Sequence, residues 1–147
     1  MNIETHLDYE TILANTHQPI HFAMKLRANA IDSKREQPLA FCVVLDRSGS
    51  MYGEPLKQAK DAAAVAVRNL RAEDQFALIT FDNEANTVFP LQSVSDKAAL
   101  TQQIQSIQSG GATNLTGGWM LGRDALKQSD VAITRRLLLL SDGLLNN

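Results

Sequence analysis

Three mainly apolar runs stand out in the later part of the chain, at residues 39–45 (LAFCVVL), 75–81 (QFALITF) and 135–141 (RRLLLLS), and the first of them is continuously apolar. Apolar runs of this length are typical of strands that are covered on both faces of a sheet. A further strand is predicted at residues 86–91. Pro90 favours an edge position for it, because proline has no N–H to donate to a neighbouring strand.

Helical spacing of apolar residues separates these strands. The first helix is predicted to begin near Pro55, since proline is favoured in the first helical turn. Its apolar positions recur every three or four residues: Leu56, Ala59, Ala63, Val67 and Leu70. A second helix is predicted after a cap at Ser95 or Asp96, and a third at residues 115–127. Strands that alternate with helices predict an α/β fold with a largely parallel sheet.

The beginning of the chain has a different pattern. Residues 18–30 partly alternate between apolar and polar side chains, which predicts a half-exposed strand. Residues 3–14 are predicted to supply another strand or a short helix. We therefore divide the chain into an N-terminal extension, residues 1–37, and a main domain, residues 38–147.

Composition and charge exclude several classes of protein. A chain of 147 residues with 44% apolar residues is typical of one soluble globular domain. The formal net charge of -2 argues against a nucleic-acid partner, because there is no basic excess to neutralise phosphates. No apolar run approaches the roughly 20 residues of a membrane helix, so no membrane insertion is expected. The acidic first residues lack the apolar core of a secretory signal, and we expect a cytoplasmic protein.

The single cysteine and the histidines offer little chemistry. Cys42 excludes an internal disulfide and a cysteine-built zinc site, and its apolar neighbours indicate a small core residue. His6, His17 and His21 all precede the apolar runs. They are interpreted as surface or turn residues, so a Ser-His-Asp relay is not favoured.

Polar residues follow the first and last of the apolar runs. Asp46, Ser48 and Ser50 occupy alternate positions after the first run, and Asp142 follows the last run. Thr113 lies in the glycine-rich segment GGATNLTGG. In open α/β sheets, ligands bind at the carboxyl ends of the strands, so these five residues are candidates for one site.

The residue types of this cluster suit several chemistries. The serines do not form a G-x-S-x-G nucleophile elbow, because Asp46 and Ser50 stand where Ser48 would need glycines. The glycine-rich segment lacks the lysine of a phosphate-binding P-loop. Metal-dependent phosphoryl transfer by Asp46 stays an alternative, although Arg47 and Ser48 do not fit the usual Asp-x-Asp pattern.

Two interpretations use the hydroxyls directly. In the first, the serines cap the helix near Pro55, Thr113 caps a later helix and Asp142 forms a turn. In the second, all five residues supply oxygens to one hard cation, Mg²⁺, Mn²⁺ or Ca²⁺. The cation site accounts for the whole cluster, whereas capping accounts for each residue separately.

At these residues the sequence resembles a von Willebrand factor type A (VWA) domain. The metal-ion-dependent adhesion site (MIDAS) of that family is Asp-x-Ser-x-Ser followed by a distant Thr and a distant Asp, which DRSGS, GGATNL and LLSDG match. The segments SGSMYGEPLKQAKDAA and DQFALITFDNEANTVFPL resemble the bacterial branch with chloride-channel-like and stress-associated members. The resemblance covers residues 38–147. It implies a Rossmann-like, mostly parallel sheet with helices on both faces, here preceded by extra strands.

The resemblance also implies roles for single residues. Ser48 and Ser50 would bind the ion directly, Thr113 directly or through water, and Asp46 and Asp142 through water. A glutamate or aspartate of a partner protein would complete the coordination shell. The implied function is metal-dependent protein binding without catalysis.

Four residues near the site have structural interpretations. Gly49 and Gly111 are interpreted as positions that let the loops converge. Asn114 and Trp119 flank the site, and a packing role is favoured for both over ligand contact.

The family's core normally continues past the second metal aspartate, whereas this sequence ends at Asn147. We therefore expect a truncated VWA domain, or half of a split one, in which residues 135–141 form an edge strand. An apolar edge strand invites pairing with another chain, so a homo-oligomer through this strand is expected. A structural fragment without stable metal binding is a further alternative.

Overall fold

A computed structural model describes residues 2–7, 22–27, 37–130 and 132–143 of the protein. The chain divides into two compact units, Met1–Lys34 and Arg35–Asn147. Among the described residues, no helix has the length and apolar character needed to cross a membrane.

The first unit contains a two-stranded antiparallel sheet. Strand β1 (Asn2–Leu7) pairs with strand β2 (Phe22–Arg27). The predicted strand within residues 18–30 is confirmed, and the part of residues 3–14 that the structure describes belongs to strand β1. The half-exposed face predicted for β2 and the side chains of the three histidines lie outside the described residues.

The described part of the second unit is a four-stranded sheet with three α-helices. Its elements in chain order are β3 (Leu39–Asp46), α1 (Glu54–Asn69), β4 (Gln75–Phe81), β5 (Ala85–Ser93), α2 (Lys97–Ser106), α3 (Leu115–Lys127) and β6 (Thr134–Leu140). The strand order is β5-β4-β3-β6, in which β4 and β6 run parallel to β3 and β5 runs antiparallel to β4. The α/β fold with a mostly parallel sheet is confirmed, and so is the edge position of the strand that contains Pro90.

Strands β3 and β4 form the centre of two apolar layers. Successive side chains of a strand point to opposite faces, so Val43 and Leu45 pack with α1 and α2 while Cys42 and Val44 pack with α3. All four of these side chains are fully buried. The predicted placement of helices on both faces of the sheet is therefore confirmed.

The helix starts decide between the two interpretations of the hydroxyl residues. Helix α1 begins after Gly53, without a side-chain cap. The Asp96 carboxylate caps α2 by accepting from the Ala99 N–H, as predicted, and the Asn114 side chain caps α3. Because neither serine caps α1 and Thr113 does not cap α3, the capping interpretation is wrong for these three residues.

Strand β6 differs from its prediction as a strand covered on both faces. Arg135, Arg136 and Leu139 are exposed, and the remaining leucines are half-buried. In the described part of the sheet, β6 pairs only with β3, so one of its edges has no neighbouring strand.

The packing role predicted for Trp119 is met only in part, because 49% of this residue is exposed.

Self-association through the free edge of β6 stays a prediction. The edge presents backbone N–H and C=O groups that a second copy can pair with. We expect the average mass measured by light scattering to rise with concentration. A stable monomer at high micromolar concentration would contradict self-association.

The buried thiol of Cys42 leads to a prediction about reactivity. Burial raises the pKa of Cys42 to about 12, and its side chain has 0% exposure. Since the thiolate is the reactive form, iodoacetamide should fail to label the folded protein near pH 8 and should label it rapidly in urea. An unfolded thiol ionises from a pKa of about 8.5. This group's contribution to stability is therefore complete below that pH and is lost as the pH rises towards 12. Equal labelling rates with and without urea would show that Cys42 is accessible in the fold.

Candidate metal site

Three segments of the second unit meet where the parallel strands end. They are the loop after β3, the residues after β6 and the glycine-rich loop before α3. Asp46 is the last residue of β3, and Ser48 and Ser50 follow it, Ser50 within a short 3₁₀ turn at Gly49–Met51. Asp142 lies two residues after the end of β6, with Ser141 between them. Because β3 and β6 are parallel neighbours, their carboxyl ends lie side by side.

The Asp46 carboxylate is fixed by hydrogen bonds from two directions. It is fully buried, and its Oδ1 accepts a hydrogen bond of 2.9 Å from the Ser48 N–H. Its Oδ2 accepts a hydrogen bond of 2.8 Å from the Ser141 hydroxyl. The carboxylate therefore links the loop after β3 to the end of β6.

The two serine hydroxyls lie close together beside this carboxylate. The Oγ atoms of Ser48 and Ser50 are 3.2 Å apart. Ser48 is fully buried and Ser50 is half-buried. Ligands at about 2.1 Å in an octahedral Mg²⁺ shell are about 3.0 Å apart when they occupy adjacent positions. The spacing of the serine oxygens thus fits two adjacent positions around one small, hard cation.

Backbone hydrogen bonds hold the glycine-rich loop against the serine loop. The Gly49 N–H donates to the Gly111 carbonyl at 2.7 Å, and the Gly110 N–H donates to the Arg47 carbonyl at 2.5 Å. Thr113 lies a short distance along this loop and is half-buried. The predicted convergence of the two loops is therefore present.

The two glycines interpreted as convergence points differ in what they require. A Cβ atom on Gly111 would lie 2.6 Å from the Asn83 Oδ1, so only glycine fits there without a shift. A Cβ atom on Gly49 would lie 3.5 Å from its nearest neighbour, an ordinary contact distance. The steric explanation holds for Gly111 and fails for Gly49.

The donor set is rich in oxygen and has an open side. Asp142 is exposed, so solvent reaches the site next to β6. In residues 37–130 and 132–143, no group of three or more His, Cys, Asp or Glu side chains is placed to hold a metal ion. The ligand set predicted from the sequence instead combines two carboxylates with three hydroxyls, a set that suits Mg²⁺ or Ca²⁺ better than a softer metal.

Three residues at this edge were missed by the sequence analysis. Ser141 holds Asp46, and Asp82 and Asn83 bond to the backbone of the glycine-rich loop. Asp82 directly follows β4, so its place at the end of a third strand was the one available indication. Hydrogen bonds to loop amides leave no periodic pattern in a sequence.

The model of the von Willebrand factor type A domain family matches residues 41–144. The chain belongs to this family. An uncharacterized protein of Synechocystis is 37% identical over 117 residues, which cover 79% of this chain and 28% of that protein. The inter-alpha-trypsin inhibitor heavy chain H4 of Bos taurus is 32% identical over 104 residues, which cover 69% of this chain and 11% of that protein. The chain therefore spans only a small part of the length of these relatives.

Solved structures show the same fold. The vWF domain of the type V pili tip protein Mfa5 from Porphyromonas gingivalis has a TM-score of 0.65 at 26% identity, covering 74% of this chain and 39% of that one. Proximal thread matrix protein 1 from the mussel byssus, solved with a zinc-occupied MIDAS motif, has a TM-score of 0.65 at 24% identity. That match covers 75% of this chain and 30% of the mussel protein. Domains of this family commonly mediate protein–protein interaction.

Proposed function

We propose that the second unit is a divalent-metal-dependent protein-binding module. A Mg²⁺-type ion, with Mn²⁺ or Ca²⁺ as possible substitutes, binds at Asp46, Ser48, Ser50, Thr113 and Asp142. The ion then binds a glutamate or aspartate side chain of a partner protein. The observation that carries this proposal is the pair of serine hydroxyls 3.2 Å apart beside a buried carboxylate. The zinc-occupied MIDAS motif of the mussel protein supports it.

The contacts around the site favour different roles for its residues. Ser48 and Ser50 are direct ligands, because their hydroxyls are close together and neither caps a helix. Both oxygens of Asp46 already accept hydrogen bonds, which favours contact with the ion through water. With only two carboxylates in the set, the protein's own ligands balance a divalent charge. A coordination position is left for the partner's carboxylate.

The same contacts disfavour phosphoryl transfer by Asp46. A nucleophilic carboxylate must present an oxygen to an incoming phosphorus atom. Asp46 is fully buried, and both of its oxygens accept hydrogen bonds, one from the Ser48 N–H and one from the Ser141 hydroxyl. We therefore propose a binding role and no catalytic one. A cytoplasmic location and the lack of a nucleic-acid partner stay predictions.

A titration of the full chain tests the proposed function. After treatment with EDTA, the protein should bind one Mg²⁺ or Mn²⁺ per chain in calorimetry. Ions that bind only the folded state also stabilise it, by about 2.7 kcal/mol at a free concentration 100 times the Kd. A rise of the thermal midpoint with Mg²⁺ should therefore accompany binding. Failure to bind either ion would overturn the proposal.

The carboxylate step has its own test. A glutamate-containing peptide should bind the Mn²⁺-loaded protein and should be released by EDTA. The same peptide with glutamine in place of glutamate is the matched control and should not bind. Equal binding of the two peptides would contradict recognition through the ion.

A further inference from the structure

The turn after β4, residues 82–84, contacts both loops of the candidate metal site. These are the serine loop, residues 47–50, and the glycine-rich loop, residues 110–114. The Arg47 guanidinium, which lies between Asp46 and Ser48 in the chain, pairs with the Asp82 carboxylate at 2.6 Å. The Arg47 N–H also donates to the Phe81 carbonyl at 2.9 Å. The serine loop is thus joined to the end of β4 by a backbone bond and an ion pair.

The same turn holds the loop that carries Thr113. Two amides of that loop donate hydrogen bonds to the turn. The Ala112 N–H donates to the Asn83 Oδ1 at 2.5 Å, and the Asn114 N–H donates to the Asp82 carbonyl at 2.6 Å. The Gly110 N–H donates to the Arg47 carbonyl. Thr113 therefore lies between two amides that the turn after β4 fixes directly.

The Asp82 side chain is enclosed where these contacts meet. Asp82 is 7% exposed, and its Oδ1 accepts from the Glu84 N–H at 3.2 Å. A Cβ atom on Gly110 would overlap the Asp82 carboxylate, so the loop backbone packs directly on this side chain. The Arg47 side chain is 31% exposed, so the pair has one enclosed member and one that reaches solvent. Movement of the Asp82 carboxylate would displace the loop.

We propose that Asp82, paired with Arg47, is a positioning residue for the metal site. It fixes the Thr113 loop relative to the hydroxyls of Ser48 and Ser50, and so sets the affinity for the ion. This inference rests on the proposed function, and it assigns a role to residues outside the set of metal ligands. Groups that orient metal ligands typically change metal affinity by about 10–100-fold when they are replaced.

A metal-free measurement tests the loop contact first. Asp82→Asn keeps the shape of the side chain and removes the charge that pairs with Arg47. Hydrogen exchange at the amides of Gly110, Ala112 and Asn114 should become faster in this variant. Asp61→Asn is the matched control, because Asp61 is an exposed carboxylate on α1 that accepts a hydrogen bond from the Gln105 side chain. Unchanged exchange in Asp82→Asn would overturn the proposal.

Mn²⁺ titrations of the full chain then test the effect on the ion. Asp82→Asn should weaken binding by about 10–100-fold, and Asp61→Asn should leave it unchanged. If Asp82 acts by placing Thr113, the double variant Asp82→Asn/Thr113→Ala should bind no more weakly than Thr113→Ala alone. Additive losses, or an unchanged affinity in Asp82→Asn, would overturn the proposal.

A second variant covers the case in which Asp82→Asn does not fold. Arg47→Gln removes the charge of the more exposed member of the ion pair. This variant should show the same faster amide exchange and weaker Mn²⁺ binding. Normal exchange and normal affinity in Arg47→Gln would count against the pair. The titrations distinguish failure of this proposal from failure of the proposed function. If the wild-type protein binds neither Mg²⁺ nor Mn²⁺, the proposed function is refuted. If the wild-type protein and the variants all bind with the same affinity, only the role of Asp82 is refuted.

Discussion

Replacing both Ser48 and Ser50 by alanine is expected to lower the affinity for Mg²⁺ and Mn²⁺ by more than about 100-fold. Replacing groups that merely support metal ligands already costs about 10–100-fold, and this change removes two ligands. The carboxylate of Asp46 should stay in place, because it accepts from the Ser48 backbone and from Ser141. The loss should therefore come from the missing oxygens alone. Calorimetric titration with each ion measures it.

The chain offers a matched control for this double substitution. Ser93 and Ser95 have the same spacing as the site serines, and both are exposed. Ser93→Ala/Ser95→Ala should bind the ions like the wild-type protein. The site variant should also keep its metal-free stability, because the side-chain bond lost is the one between the two serines. Unchanged metal affinity in the site variant would rule out both serines as ligands.

Replacing Asp74 by alanine is expected to give the largest loss of stability, about 3 kcal/mol or more. Asp74 is fully buried, and its carboxylate accepts from the Leu39 N–H at 2.9 Å and the Arg71 N–H at 2.7 Å. Hydrogen bonds to charged groups contribute about 1.5–3 kcal/mol each, and alanine would leave both donors without this partner. A loss of this size is a large part of the 5–15 kcal/mol that stabilises a typical domain.

Urea unfolding of Asp74→Ala measures this loss. Glu73→Ala is the control, because the neighbouring Glu73 makes only an exposed pair with Arg71 at 3.6 Å, worth about 0–1 kcal/mol. Asp74 directly precedes β4, at the opposite end of the parallel strands from the candidate metal site. The folded fraction of Asp74→Ala should therefore bind Mn²⁺ normally. Equal stability of the two variants would contradict the structural role of Asp74.

Much of the fold was predictable because its elements have local determinants. Pro55 marked the first turn of α1, Asp96 supplied the cap of α2, and the bounds of α3 matched the apolar pattern. The burial of β6 was not predictable in the same way. A run of leucines reports the hydrophobicity of a strand, whereas the number of neighbouring elements depends on the rest of the sheet.

The candidate site was also predictable only in part. Asp46 and Asp142 were predicted to lie at one sheet edge, because parallel strands end together, and β3 and β6 pair in this way. The supporting groups were not found. Ser141 and Asn83 act through single hydrogen bonds whose partners depend on the path of each loop. Such partners become visible only when the loop backbone is known.

The hydrogen bond between Asp46 and Ser141 joins residues that are 95 positions apart in the chain. Helices α1, α2 and α3 lie between these residues. An ion held at this edge would therefore act as a reversible cross-link that closes a long loop, and closing such a loop restricts the unfolded chain. The complete set of ligands assembles only after β6 has docked on β3. Metal binding would thus report the docking of β6 on β3, and loss of the ion would accompany the detachment of β6.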